Sequence, residues 1–141
     1  MAAPVNLKNY TSEALHRALA PLGVTPTLAR RIQASVWRRG TLPFDRSDLS
    51  STLLQRVAAA SHIPSLALIE QAVSPRDGFT RLLLRGDGPD VFESVGIPLY
   101  RDTPRARTVA CVSSQAGCRM GCVFCRTGRL GWRRDLAAWE I

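Results

Sequence analysis

A chain of 141 residues, 45% hydrophobic and 21% charged, has room for one ordinary domain, or one small domain and the opening of another, and excludes two full ones. No apolar run approaches the roughly 20 residues that span a bilayer, and the start, MAAPVNLKNY, has neither a basic flank nor an apolar signal core, which points to a cytoplasmic protein without a membrane partner. The formal charge of +8 is uneven, with 11 basic against 8 acidic side chains in residues 1–100 and 8 against 3 in residues 101–141, and every cation but Lys8 is arginine. Arginine grips phosphate bidentately and stacks on bases, so RNA is a candidate partner, although a solvated Arg-rich surface has the same composition.

In chain order, Thr11 or Ser12 can cap a helix over 12–22, with Leu15, Ala18, Leu19 and Leu22 in one apolar stripe and Pro21 and Gly23 as its stop. A second helix is predicted from Pro26 through Leu28, Ile32 and Val36 to a left-handed cap at Gly40. Its opposite face carries Arg30, Arg31, Arg38 and Arg39 beside Gln33 and Trp37. That face is either the wet side of an amphipathic helix or a surface that lies along a phosphate backbone. Ser47 or Ser50 can cap a third helix to Ala60, with Leu53, Leu54, Val57 and Ala58 toward a core. Neither His16 nor His62 belongs to a catalytic constellation.

The period then changes. Segments 66–73, 79–86 and 90–97 read as three strands separated by Pro75-Arg76-Asp77-Gly78 and Gly86-Asp87-Gly88-Pro89, a small antiparallel meander. The fold class is therefore α+β: an accessory domain over 1–99, a linker over 100–106, and a further domain opening at 107. Thr108 to Val112 reads as a buried strand, followed by a long loop and, from Arg134 to Ile141, the first turns of a helix. Strand, loop and helix make the first unit of an incomplete (β/α) barrel, whose loops at the strand carboxyl ends build active sites.

That loop holds Cys118, Cys122 and Cys125, with Cys111 on the strand before it. In a reducing compartment such crowding points to ligands or redox thiols rather than to a disulfide framework. Three thiolates suit a four-iron cluster with one iron left open to a small molecule. Gly121 lets the backbone turn close to a bulky group, Phe124 can shield one face of it, and Arg119 and Arg126 favour thiolate over thiol. Zinc is the alternative, but its ligands usually come in pairs on two knuckles, and Cys111 stands alone.

The run Cys111-Val112-Ser113-Ser114-Gln115-Ala116-Gly117-Cys118, followed by Cys122, Phe124, Cys125, Thr127-Gly128, Gly131, Arg134, Leu136 and Glu140-Ile141, resembles the radical S-adenosylmethionine enzymes that methylate C2 of an adenine in 23S ribosomal RNA. The family also methylates certain transfer RNAs, and a close branch methylates C8. Asp77-Gly78, Asp87-Gly88, Glu93-Ser94-Val95-Gly96-Ile97-Pro98 and, more weakly, Arg31, Gln33 and Trp37 extend the resemblance over most of the chain. It implies that Cys118, Cys122 and Cys125 ligate a [4Fe-4S] cluster whose open iron chelates S-adenosylmethionine. It also implies an external electron donor, cleavage of the cofactor to a 5′-deoxyadenosyl radical, and transfer by way of a methyl-carrying cysteine. Cys111 matches the second redox cysteine, which forms a disulfide to release product, and Glu93 matches the proton acceptor. Asp135 stands where the family more often has Asn, and Arg81 where it often has Lys.

Only 31 residues run from Cys111 to Ile141, against the roughly 200 a barrel needs, and no cysteine follows Cys125. The expectation is an amino-terminal fragment of an enzyme that is monomeric when full length, inactive by itself. Two other readings stay open: a non-catalytic RNA- or zinc-binding module, and a radical enzyme with a non-RNA substrate.

Overall fold

The structure, a computed structural model, describes residues 3–100 and 103–141. By their internal contacts these fall into two compact units, Met1–Pro64 and Ser65–Ile141. No helix among the described residues is long and apolar enough to cross a membrane.

In the first unit, helix α1 (Ser12–Leu19) begins where the Thr11 side chain accepts a hydrogen bond from the Ala14 N–H. It does not continue as an α-helix to residue 22. Pro21 has no N–H to donate, so the chain tightens into a 3-10 turn at Ala20–Leu22, closed by Gly23 at φ +86°. Helix α2 (Pro26–Arg39) has the expected bounds, with Thr25 capping its start and Gly40 at φ +67° its end. Helix α3 (Ser51–Ala60) is capped by Ser50 rather than Ser47. Leu15, Leu19, Leu28, Ile32, Val36, Leu54 and Val57 are buried in one core. Ala58, expected to face it, is exposed. Strands β1 (Val5–Asn6) and β2 (Ser61–His62) pair in parallel and tie the two ends of this unit together.

The second unit is built on a sheet of four strands in the order β3 (Ala67–Val73), β4 (Thr80–Arg85), β5 (Val91–Leu99), β6 (Arg107–Val112), with every neighbour antiparallel. The three-stranded meander is as expected. The segment expected to open the barrel, β6, joins the same sheet. It is exposed along its whole length, not buried, because it is an edge strand with one side paired to β5 and the other unpaired among the described residues. Arg101 and Asp102 of the expected linker lie outside the described residues, while Tyr100 O accepts from the Thr103 N–H at 3.1 Å in a turn.

Beyond β6 the expected helix over 134–141 is replaced. Strand β8 (Trp132–Asp135) pairs antiparallel with β7 (Gln115–Gly117), and a 3-10 turn at Ala138–Glu140 follows. An eight-residue segment gains little from helix propensity alone. Here it gains more from the ladder to β7, from the Leu136 N–H bonded to Ser114 O at 2.9 Å, and from Glu140 folding back on Arg134. Phe92, Ala116 and Leu136, with Leu66 and Leu84 against them, form a small core where β7 and β8 cover one end of the sheet.

Candidate functional site

The cysteine loop leaves β7 and returns to β8, so its neck is a hairpin closed by the Cys118 N–H on Gly131 O at 3.1 Å. Gly117 sits at φ +76°, and a Cβ there would lie 1.9 Å from Gly131 O. Gly121, just before the middle cysteine, has φ +59°, a left-handed angle that glycine adopts without a Cβ penalty. The Cys125 N–H then donates to Cys122 O at 3.0 Å, which starts the short helix α4 (Arg126–Arg129). Gly128 in that helix is buried, and a Cβ on it would stand 2.9 Å from the Cys122 nitrogen. Helix α4 thus backs directly onto the backbone of Cys122. Periodicity carried no sign of this contact, although Thr127-Gly128 stood within the family resemblance.

Cys118, Cys122 and Cys125 are free and partly buried; Cys111 is free and exposed. Among the described residues no three Cys, His, Asp or Glu side chains converge at metal-binding distance. The fold brings the three thiols onto one closed loop without gathering them at a point. As donors they remain three soft ligands on adjacent turns, which fits a cluster better than a four-ligand zinc site. Phe124, expected as a shield, stands out from the loop at 88% exposure beside exposed Met120 and Val123.

Arg119 stacks on Trp132 with its guanidinium carbon 3.7 Å from the ring centre, and one of its nitrogens lies 3.4 Å from the Asp135 carboxylate. Asp135 also accepts from Gln115 Nε2 at 2.7 Å and Trp132 Nε1 at 3.3 Å. These two hydrogen bonds, with the Arg119 charge behind them, hold its carboxyl below the usual aspartate range. Asp135 is therefore a cross-link at the base of the loop, a role its departure from the family pattern did not disclose.

A second brace lies outside the loop. Arg134 grips the buried Glu140 carboxylate with two bonds of 2.7 and 2.8 Å, and Glu140 also caps the Ala137 N–H at 2.9 Å. Arg134 Nε, buried and without a hydrogen bond, stands 3.4 Å from Asp90 Oδ2. The β4–β5 turn accommodates the brace because Gly86 has no side chain: a Cβ there would fall 1.8 Å from Glu140 Oε1. Hydrogen bonding to Arg134 lowers the Glu140 pKa from its ordinary 4.5, so its contribution to stability is full above that value and is lost as the pH falls through the depressed one. The protection factors of the Leu136 and Glu140 amides, with the intrinsic pH dependence of exchange divided out, are expected to be flat from neutral pH down to that range and to fall below it. Glu140→Gln, which keeps one accepting oxygen but removes the charge that Arg134 grips, is expected to cost about 1–3 kcal/mol at neutral pH and to flatten the acid limb.

Glu93 and Cys111 come together differently. Cys111 on β6 lies opposite Val95 on β5, and Glu93 is two residues from Val95, so both side chains share one face of the sheet. Ser94 Oγ donates to Cys111 O at 3.1 Å and Ser113 Oγ to Glu93 O at 2.7 Å, stitching the two strands beyond their ladder. Arg81 on β4 binds Glu93 at 3.1 Å and Glu70 on β3 at 2.5 Å, an exposed carboxylate–guanidinium–carboxylate row across three strands. Sequence reasoning noted Arg81 only as a departure from lysine, and Glu70 had no signal at all.

No family model matches the chain. A probable RNA methyltransferase of Myxococcus xanthus is 35% identical over 141 residues, 97% of this chain and 38% of that protein. A dual-specificity RNA methyltransferase RlmN of Syntrophotalea carbinolica is 38% identical over 138 residues, 97% of this chain and 36% of that protein. The crystal structure of a radical SAM methyltransferase from Sphaerobacter thermophilus superimposes with a TM-score of 0.73 at 33% identity, over 97% of this chain and 39% of that one. Over nearly its whole length the chain is similar to RNA methyltransferases and to a radical SAM methyltransferase. It spans less than two fifths of the length of these relatives. The four-stranded sheet and the glycine-closed cysteine loop are the features of this chain that bear on chemistry.

Proposed function

We propose that this chain contributes the accessory region and the cluster-bearing loop of a radical SAM enzyme that methylates C2 of an adenine in 23S rRNA, and tRNA as a second substrate. The observation that carries the reading is the loop from Cys118 to Cys125, with its glycine-closed neck and with α4 packed on Cys122, in a chain related to proteins named as RNA methyltransferases. Cys118, Cys122 and Cys125 would hold a [4Fe-4S] cluster and, through it, S-adenosylmethionine. When bound, the pair supplies the radical chemistry that starts methyl transfer.

The chain's own residues do the rest. Glu93, held by Arg81, presents a carboxylate on an open sheet face to accept a proton from the methylated adenine. Cys111, exposed on the same face, is the thiol for redox exchange. On this reading residues 1–99 are the accessory domain, 100–106 the linker and 107–141 the start of the radical SAM domain. The enzyme is cytoplasmic, monomeric and served by an external electron donor.

Anaerobic reconstitution of the chain with iron and sulfide tests the proposal. It predicts charge-transfer absorption, about four irons per chain and a four-iron resonance on reduction. Tight zinc uptake with no cluster absorption would overturn it in favour of a non-catalytic module.

A further inference from the structure

In the first unit, α2 and the turn after it enclose a cleft of about 350 Å³ lined by Arg31, Arg38, Arg39 and Arg46. Two carboxylates serve these four cations. Asp45 takes Arg39 in two bonds of 2.5 and 3.1 Å, and Asp48 takes Arg31 at 2.6 Å and Arg46 at 3.2 Å. The two arginines on Asp48 hold its pKa at about 2, so the pairing persists at every physiological pH. Arg39 is also fixed by the buried Ser35, whose Oγ accepts from it at 3.0 Å and donates to Thr41 O at 2.8 Å.

Three of the guanidiniums are thus oriented before any ligand arrives. Each ion pair uses only part of an arginine's five donors. Arg38 is exposed and makes no ion pair or hydrogen bond among the described residues. The balance in and around the cleft is four cations against two anions, with spare N–H groups toward an open space.

We infer that this cleft is a phosphodiester site: Arg38 closes on an RNA backbone phosphate while Arg31, Arg39 and Arg46, pre-set by Asp45 and Asp48, supply the surrounding donors. The planar fork of arginine matches two phosphate oxygens, and a site made of four of them reads backbone rather than base. This rests on RNA being the substrate, as proposed above, and adds the residues that grip it.

The test is fluorescence anisotropy of a labelled RNA hairpin titrated with the 141-residue chain. Arg38→Gln is expected to weaken binding roughly tenfold, the loss of one charge-assisted contact, and to lower the slope of log affinity against log salt by about one. Arg46→Gln should act in the same direction. Arg17→Gln removes the same charge from an exposed ion pair outside the cleft and should change affinity less than about twofold. Because Arg38 has no native partner to lose, its variant should keep the native helical circular dichroism. Equal weakening by Arg17→Gln and Arg38→Gln, or none by either, overturns the site. So does poly-glutamate competing as well as unlabelled hairpin, which would make the cleft a dock for an acidic protein. Iron loading of the cysteine loop is read by absorption in the same preparations, so failure of that reading and failure of this one are separately visible.

Discussion

Replacing Cys122 by serine is expected to remove cluster absorption after anaerobic reconstitution down to the baseline of a chain treated without sulfide. Serine is nearly isosteric but offers a hard hydroxyl that does not ionise near neutral pH, so two soft ligands remain where three are required. The loop itself should persist. What α4 packs against is the backbone of Cys122, whose nitrogen lies 2.9 Å from the Cβ position of Gly128, and that backbone is unchanged by the substitution. Cys118→Ser and Cys125→Ser should behave alike, whereas Cys111→Ser, on β6 and outside the loop, should load iron as the native chain does. Equal loss in Cys111→Ser would mean that a different set of thiols holds the metal. Iron and sulfide content per chain, read beside absorption, checks the result.

Gly117→Ala is the substitution expected to do most damage to the second unit. The residue needs φ +76°, and its Cβ would meet Gly131 O at 1.9 Å, Gly131 C at 3.0 Å and Trp132 Cα at 3.2 Å, all backbone atoms where the chain enters the facing strand. Left-handed strain costs about 1–2 kcal/mol, and forcing atoms into packed space about 1–3 more, so a loss of roughly 2–5 kcal/mol in urea unfolding is expected. Gly131→Ala separates the two terms. Gly131 has nearly the same angle, φ +73°, but a Cβ on it would meet nothing within 4 Å. It should cost about 1 kcal/mol, the strain alone. If the two variants lose equal stability, the contact across the neck is not what holds it. Iron loading should fail in Gly117→Ala, since the Cys118 N–H on Gly131 O goes with the neck.

Several elements were legible in the chain because their causes are local. Helix α2 could be bounded from Pro26 and Gly40, which act within one turn of themselves, and the Thr25 cap seen in the structure agrees with that start. The meander followed from apolar alternation broken by Asp-Gly turns. The segment after the cysteines was misread for the opposite reason. Arg134 to Ile141 has the composition of a helix start, and only a partner strand 15 to 20 residues earlier makes it β8. Register between distant segments leaves no trace in local periodicity.

Sequence alone therefore determined the chemical inventory: three loop thiols, an isolated Cys111, an arginine excess, and motifs that carry the resemblance to radical SAM RNA methyltransferases. Tertiary structure decided which of these meet. It put Glu93 and Cys111 on one sheet face and tied Glu93 to Glu70 through Arg81. It clamped three arginines into a cleft and left Arg38 free. It also made Gly86, Gly117 and Gly128 contact points where a Cβ would force a neighbour to move. Residue type fixes what a side chain can donate, accept or ligate. Which atoms come within bonding distance depends on chain segments far apart in sequence, and only the folded backbone brings those together.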